Sequence, residues 1–222
     1  MTDYSLAALV LAATRRRVSR RLRHLALPLL IGIPVGRSVP AAAGAAAAAP
    51  HRAVAVLAGG CYWGVESVFD HVRGVESATS GYATPAPEAG ARSAPPAEAV
   101  RLVYDPSRLS YRQILDVFFS VVHDPTQLDR QGPDVGREYR SAVFVATDSE
   151  RTVVRAFIDS LSAARAFAKP IVTEIDALRS FEAVGPSQQH YAAKHPTDPY
   201  IVVNDEPKLA ALRQRFPQLY RS

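Results

Sequence analysis

Residues 53 to 70 read AVAVLAGGCYWGVESVFD, and the reading of this stretch decides the fold. AVAVLAGG (53 to 60) is a short apolar run stopped by two glycines, as a buried strand is, whereas WGVESVFDHV sets Val65, Val68, Phe69 and Val72 at helical spacing. The glycines allow a backbone turn closed to other residues, so a strand hands over to a helix just after Cys61. Cys61 is the only cysteine, and Trp63 the only tryptophan, of the 222 residues. At a helix N-terminus the unpaired N–H groups and the helix dipole favour a thiolate, so the thiol pKa is expected below its ordinary value of about 8.5. Tyr62 and Trp63 would supply an aromatic wall for an apolar group such as a methyl. A small side chain buried in a tight turn fits the same residues, and local physics leaves the two readings level.

Outward from this turn, strand-like and helix-like segments alternate. VESATSGYA (75 to 83) and EAVRLVYDP (98 to 106) read as strands, the second alternating Val100, Leu102 and Tyr104 on one face. SYRQILDVFFSVVHDP opens with a capping box, Ser110 and Gln113, and ends before Pro125. RSAVFVAT (140 to 147) is a strand, Asp148 can cap the helix after it, and IVTEI (171 to 175) is the last clear strand. Helices are expected near Gln188 to Lys194 and from Pro207 to about Phe216. The order argues an α+β domain over 51–222: a two-layer α/β sandwich of helices on a small mixed sheet, ferredoxin-like, with 197–222 as a C-terminal helical extension. ATPAPEAGARSAPP (83 to 96) must be a surface loop, and HDPTQLDRQGPDVGREY (123 to 139) is a long polar connection of the kind that carries function.

The net charge of +5 would point to an acidic partner if it were spread through the fold. Residues 1–50 hold seven arginines against one acid, Asp3, so the other 172 residues carry 19 basic and 20 acidic side chains. Nucleic acid is not an expected partner. The leader itself runs from an arginine cluster, RRRVSRRLRH, through a twelve-residue apolar run (25 to 36) to an Ala-rich stretch. That is the order of a secretory signal peptide, and SRRLRHL loosely resembles a twin-arginine signal. The apolar run is too short for a stable membrane span, so the expected location is periplasmic or secreted. The Arg-rich, acid-poor composition also fits an organelle transit peptide, and a start codon set too far upstream would leave a cytoplasmic protein.

GGCYWGVE closely resembles the Gly-Cys-Phe-Trp-Gly-x-Glu signature of the type A peptide-methionine sulfoxide reductases, with Tyr62 in place of phenylalanine. AEAVRLVYDP resembles that family's Ala-Glu-x-Val…Tyr-Asp-Pro segment, and HDPTQLDRQGPDVGREYRSAVF its His-Asp-Pro-Thr…Gln-Gly-x-Asp-x-Gly…Tyr-Arg-Ser block. KPIVTEI falls where the family carries the same words, so the match runs in consistent order over about 53 to 196.

The resemblance implies thiol-dependent reduction of methionine-S-sulfoxide, in oxidised proteins or as the free amino acid, through a Cys61 sulfenic acid. It implies Glu98 as the acid that protonates the leaving oxygen, and Tyr62, Trp63, Asp134 and Tyr139 as substrate-binding residues. Burial of Glu98 would raise its pKa towards neutrality. Glu66, in the same signature, reads as a charge complementing the helix dipole. No metal or bound cofactor is implied. The family's resolving cysteines in the C-terminal tail are absent, so an outside thiol, thioredoxin-like or small, would have to reduce Cys61. Such a protein would act in repair after oxidative stress, and as a monomer. The family's Asn-Pro-Thr-Tyr segment is replaced by the Ala/Pro-rich loop, which has no tyrosine, and Tyr82 is at best a substitute. Two rivals follow: a weakened relative that only binds oxidised methionine, and a cysteine acyl-transfer enzyme. The latter would need a histidine base, which His71, His123 and His190 do not recognisably provide.

Overall fold

A computed structural model describes residues 52–87 and 94–222; the targeting segment expected over 1–50 lies outside the described residues. β1 (Ala53–Gly59) leads through Gly60 and Cys61 into α1 (Tyr62–Asp70), as the opening stretch predicts. Gly60 has φ +93°, and a side chain there would run into Gln131. Val65, Val68, Phe69 and Val72 are all fully buried, so the helical spacing identified the packed face correctly.

β2 (Val75–Pro85) and β3 (Ala97–Tyr104) pair antiparallel, and β1 pairs with β3 and with β6 (Ser141–Val145). β7 (Glu174–Ala183) joins β6 in parallel and β2 antiparallel, so the order β1-β3-β2-β7-β6 closes on itself. The mixed sheet and its helices accord with an α+β domain, but the ferredoxin-like, two-layer sandwich is not confirmed. An open sheet has two unpaired edges, and these five strands have none. The reason lies in the face turned away from the helices, where Ala58, Ala83, Ala97, Ala99 and Ala142 pack with Val56 and Phe144. A closed sheet of so few strands encloses little volume, and alanines fit it.

The other sheet face carries Ala55, Leu57, Val100, Leu102, Tyr104, Val143 and Val145 into the main core with α1. α2 (Tyr111–Val117) starts at the expected capping box, with Ser110 Oγ accepting from the Gln113 amide at 3.2 Å, and continues as a π-helical turn over Phe118–Val122. α3 (Asp148–Ala163) is capped by Thr147 rather than Asp148, Thr147 Oγ1 accepting from the Glu150 amide. The last strand is also displaced from the expected IVTEI. β7 begins at Glu174 and runs through ten residues, half of them exposed and half partly buried, whose sequence, EIDALRSFEA, shows no clean alternation.

The polar stretch 123–139 is ordered by its own side chains. A hairpin of β4 (Arg130–Gln131) and β5 (Asp134–Val135) is tied back where Gln131 Nε2 donates to the Asp124 carbonyl at 3.1 Å. α4 (Tyr191–Lys194), α5 (Pro199–Asn204) and α6 (Glu206–Arg215) follow β7. The chain end is fastened to the foot of α1, where the Arg73 amide donates to the Leu219 carbonyl at 2.7 Å and the Arg221 amide to that of His71 at 2.9 Å. At the other end of α1, a Cβ on Gly64 would lie 2.1 Å from Asp205 Oδ1, so only glycine lets the start of α6 approach so closely.

Candidate active site

Cys61 is the N-cap residue of α1, at the end of the closed sheet where β1 and β3 lie side by side. Glu98, on β3, has its side chain on the helix face of the sheet. Its Oε2 accepts from the Tyr62 amide at 3.0 Å, one of the unpaired N–H groups of the first turn. Glu98 as a whole is 7% exposed. Burial raises its pKa to about 7, with the charges of Asp134 and Glu138 adding to the effect. The raised pKa expected for Glu98 is therefore present, and for the expected reason.

The thiol departs from expectation. Burial first, and then the charge of Glu98, push Cys61 up to about 12, against the opposing effect of the Trp63 amide and the Tyr200 hydroxyl. The helix N-terminus alone would lower it. Here Glu98 already takes up the first-turn amide, and the buried carboxyl of Asp205 approaches at Gly64, so the positive end of α1 faces carboxyl groups as well as sulfur.

Asp134 sits on β5, and its Oδ2 accepts a short hydrogen bond from the Tyr200 hydroxyl. Tyr139 ends a short helical turn, Arg137–Tyr139, before β6. The next residue, Arg140, is 1% exposed, and its Nε donates to Glu174 Oε2 at 2.8 Å, which fixes this segment to the start of β7. The Tyr139 hydroxyl is pushed up to about 12 by burial and then by the charges of Glu98, Asp134 and Cys61, which puts all four groups in one electrostatic neighbourhood. Tyr62 and Trp63 meet edge to face, with centroids 6.2 Å apart. Trp63 is stacked on Tyr191 at 3.9 Å and 12°, and Tyr200 packs edge-on against it at 5.8 Å. The structure thus brings Cys61, Glu98, Tyr62, Trp63, Asp134 and Tyr139 together. Tyr82 pairs across the ladder with Glu98, shares its face of the sheet and packs edge-on against Tyr62 at 6.0 Å, so it borders the site.

Sequence reasoning missed Tyr200, Tyr191 and Gln188. Asp198 followed by Pro199 is a helix-start signal, and Asp198 Oδ1 does accept from the Tyr200 amide at 2.8 Å. Nothing in that signal says that the helix lands beside a residue 139 positions earlier. Glu66 also needs correction. It is fully buried, and its Oε2 accepts from the His190 amide at 2.7 Å, so it is an internal anchor rather than a solvated partner of the dipole. The histidines bond elsewhere: His71 to the Ser67 carbonyl, His123 to the Phe118 carbonyl and Ser141, and His190 to Asp70. Among the described residues, no three His, Cys, Asp or Glu side chains gather as a metal site would require, and no helix is long and apolar enough to cross a membrane.

Chemically, this turn sets a free thiol near a carboxyl group whose pKa is raised to about 7, beside an aromatic wall. It belongs to the class of thiol sites that carry their own acid. Residues 53–220 match the family model described as peptide methionine sulfoxide reductase, and the chain belongs to that family. It is 45% identical over 179 residues to peptide methionine sulfoxide reductase MsrA 2 of Mesorhizobium japonicum, an alignment covering 78% of this chain and 92% of that one. Over 168 residues it is 43% identical to the MsrA 2 of Synechocystis, covering 73% and 78%. Among solved structures, the reduced form of Mxr1 from Saccharomyces cerevisiae is similar with a TM-score of 0.56 at 26% identity, over 66% of this chain and 87% of that one. Methionine sulfoxide reductase A of Corynebacterium diphtheriae gives 0.54 at 28% identity, over 71% and 82%.

Proposed function

We propose that this protein reduces methionine-S-sulfoxide, protein-bound or free, to methionine. The observation that carries the reading is the buried carboxyl of Glu98, titrating at about 7 and bonded to the helix turn that holds Cys61. Cys61 sulfur attacks the sulfoxide sulfur, Glu98 gives its proton to the sulfoxide oxygen, and the carboxylate recovers a proton from the thiol. The oxygen passes to Cys61 as a sulfenic acid, and the substrate sulfur gains the electron pair and leaves as the thioether. A protonated Glu98 also removes the negative charge that opposes thiolate formation. Tyr62 and Trp63 receive the substrate methyl, and Asp134 and Tyr139 hold the polar side of the substrate.

With one cysteine in the chain, the sulfenic acid is reduced from outside: two equivalents of thiol, thioredoxin-like or small, yield a disulfide and water. The monomeric state and export directed by residues 1–50 belong to the same proposal, the latter tested by sequencing the mature N-terminus. A binding module without turnover is not favoured, because the relatives that match across the domain are named as reductases.

Purified protein with dithiothreitol is expected to convert the S epimer of a methionine sulfoxide peptide and to leave the R epimer. Without reductant it should release about one methionine per chain. Conversion of neither epimer by well-folded protein refutes the reading.

The Tyr200 hydroxyl touches both the sulfur and Asp134. Tyr200→Phe keeps the ring against Trp63 but removes the donor. The single-turnover rate should fall by about tenfold to a hundredfold, as when one pre-positioned donor to a developing negative charge is lost. Rapid-quench measurement of methionine release reads this directly, and an unchanged rate would exclude the hydroxyl from the reaction.

A further inference from the structure

Between β7 and α4 the chain has little regular structure, yet it is pinned along its length. The Gln189 side chain spans the Ser80 backbone, Oε1 accepting from the amide at 3.0 Å and Nε2 donating to the carbonyl at 2.8 Å and to that of Val184 at 3.0 Å. His190 adopts a left-handed backbone, φ 51°, and its amide donates to buried Glu66 while its Nδ1 meets Asp70 Oδ2 at 2.7 Å. Lys194 Nζ donates to the carbonyls of Pro186 and Gln189. This strap is therefore held to β2 and α1, and it presents Gln188 to the aromatic pair. Gln188 Oε1 accepts from Trp63 Nε1 at 3.1 Å and, at the longer distance of 3.5 Å, from the Tyr62 hydroxyl.

Building on the reductase reading above, we propose that Gln188 is a positioning residue that sets substrate specificity, holding the Tyr62 and Trp63 rings as the wall against which the substrate methyl packs. The indole is constrained twice. One face is stacked on Tyr191, and Gln188 fixes its rotation by the N–H edge. The Tyr62 hydroxyl has two neighbours within reach, Gln188 and the Tyr82 hydroxyl. A polar donor beside a methyl site is tolerated only when its hydrogen bond is made within the protein. With the Gln188 acceptor gone, the indole N–H would recruit water to the wall and leave the ring free to tilt, whereas the Tyr62 hydroxyl keeps Tyr82 as a partner. The consequence is a weaker methyl site, with the thiol and its acid untouched.

Trp63 is the only tryptophan, so its emission reports this contact without labelling. Gln188→Leu is expected to shift the emission maximum of the protein alone. KM should rise about tenfold, with a much smaller fall in kcat, the pattern of lost substrate binding. Gln188→His restores a ring nitrogen as acceptor and should recover most of the affinity. An unchanged KM and emission in Gln188→Leu overturns the proposal, as does a loss confined to kcat. If the wild-type protein reduces no S-sulfoxide, the reductase reading fails separately. The emission shift would then still test the hold of Gln188 on Trp63.

Discussion

Cys61→Ser is expected to abolish methionine production and to leave the fold intact. A serine hydroxyl is far less acidic and less polarisable than a thiol, and attack on sulfur by oxygen would not give a sulfenic acid that a thiol can recycle. The loss is expected to be on the order of 10⁴-fold or more, as for other enzymes stripped of their nucleophile. The chain has no second thiol to substitute. Stability should move the other way, because Cys61 occupies the N-cap of α1 without a side-chain capping bond, and serine is among the preferred residues there. A gain of up to about 1 kcal/mol in denaturant unfolding, together with complete loss of turnover, separates this outcome from unfolding. Mass spectrometry adds a direct readout: wild-type protein gains one oxygen on meeting substrate without reductant, and the variant does not. Wild-type-like activity in Cys61→Ser would remove the nucleophile assignment.

Glu98→Gln separates rate from stability. Glutamine keeps an oxygen for the Tyr62 amide but has no proton to give, so the single-turnover rate at pH 6 should fall by about a hundredfold or more. The wild-type rate should decline as pH rises through about 7, where Glu98 loses its proton, and the variant should show no such limb. Stability follows with the opposite sign. The folded pKa is raised from 4.5 to about 7, so the folded state holds this proton more tightly than the unfolded chain does. The associated stability is fully present below about pH 4.5 and is lost as pH climbs through 7. Glutamine cannot ionise and avoids that loss, so relative to wild type the variant should gain on the order of 2 kcal/mol between pH 4.5 and pH 8. Denaturant unfolding at the two pH values measures this. A variant with full activity would show that the acid is another group, and an unchanged stability difference would show that Glu98 is not held neutral by the fold.

Both variants act on residues whose roles the family resemblance implies and whose places in the fold local sequence marks, for a physical reason. A strand, two glycines and a helix with Val65, Val68, Phe69 and Val72 on one face leave Cys61 no place but the helix start. Alternation along β3 sets Val100, Leu102 and Tyr104 on the helix face, and Glu98 with them. The capping box at Ser110 was legible because its partners are three residues apart. Helix and strand periods and caps are short-range properties, carried by neighbours in the chain.

What lay beyond the sequence depends on contacts between distant segments. The small inner alanines are visible as letters, but that they let β6 return to β1 and close the sheet is a matter of summed volume across five strands. β7 is stabilised by its two neighbours rather than by apolar alternation of its own. The thiol acidity was not legible locally because the dipole of α1 acts within the turn, whereas burial and the charges of Glu98 on β3 and Asp205 at the start of α6 oppose it. Tyr200 and Gln188 reach the turn from 139 and 127 residues away, across α1. By itself, then, the sequence determined the turn that carries Cys61 and the buried faces, because these follow from backbone geometry over a few residues. Only the tertiary structure decided the closure of the sheet, the protonation of Cys61 and Glu98 and the residues that hold the aromatic wall, because desolvation and charge depend on what the rest of the chain brings close.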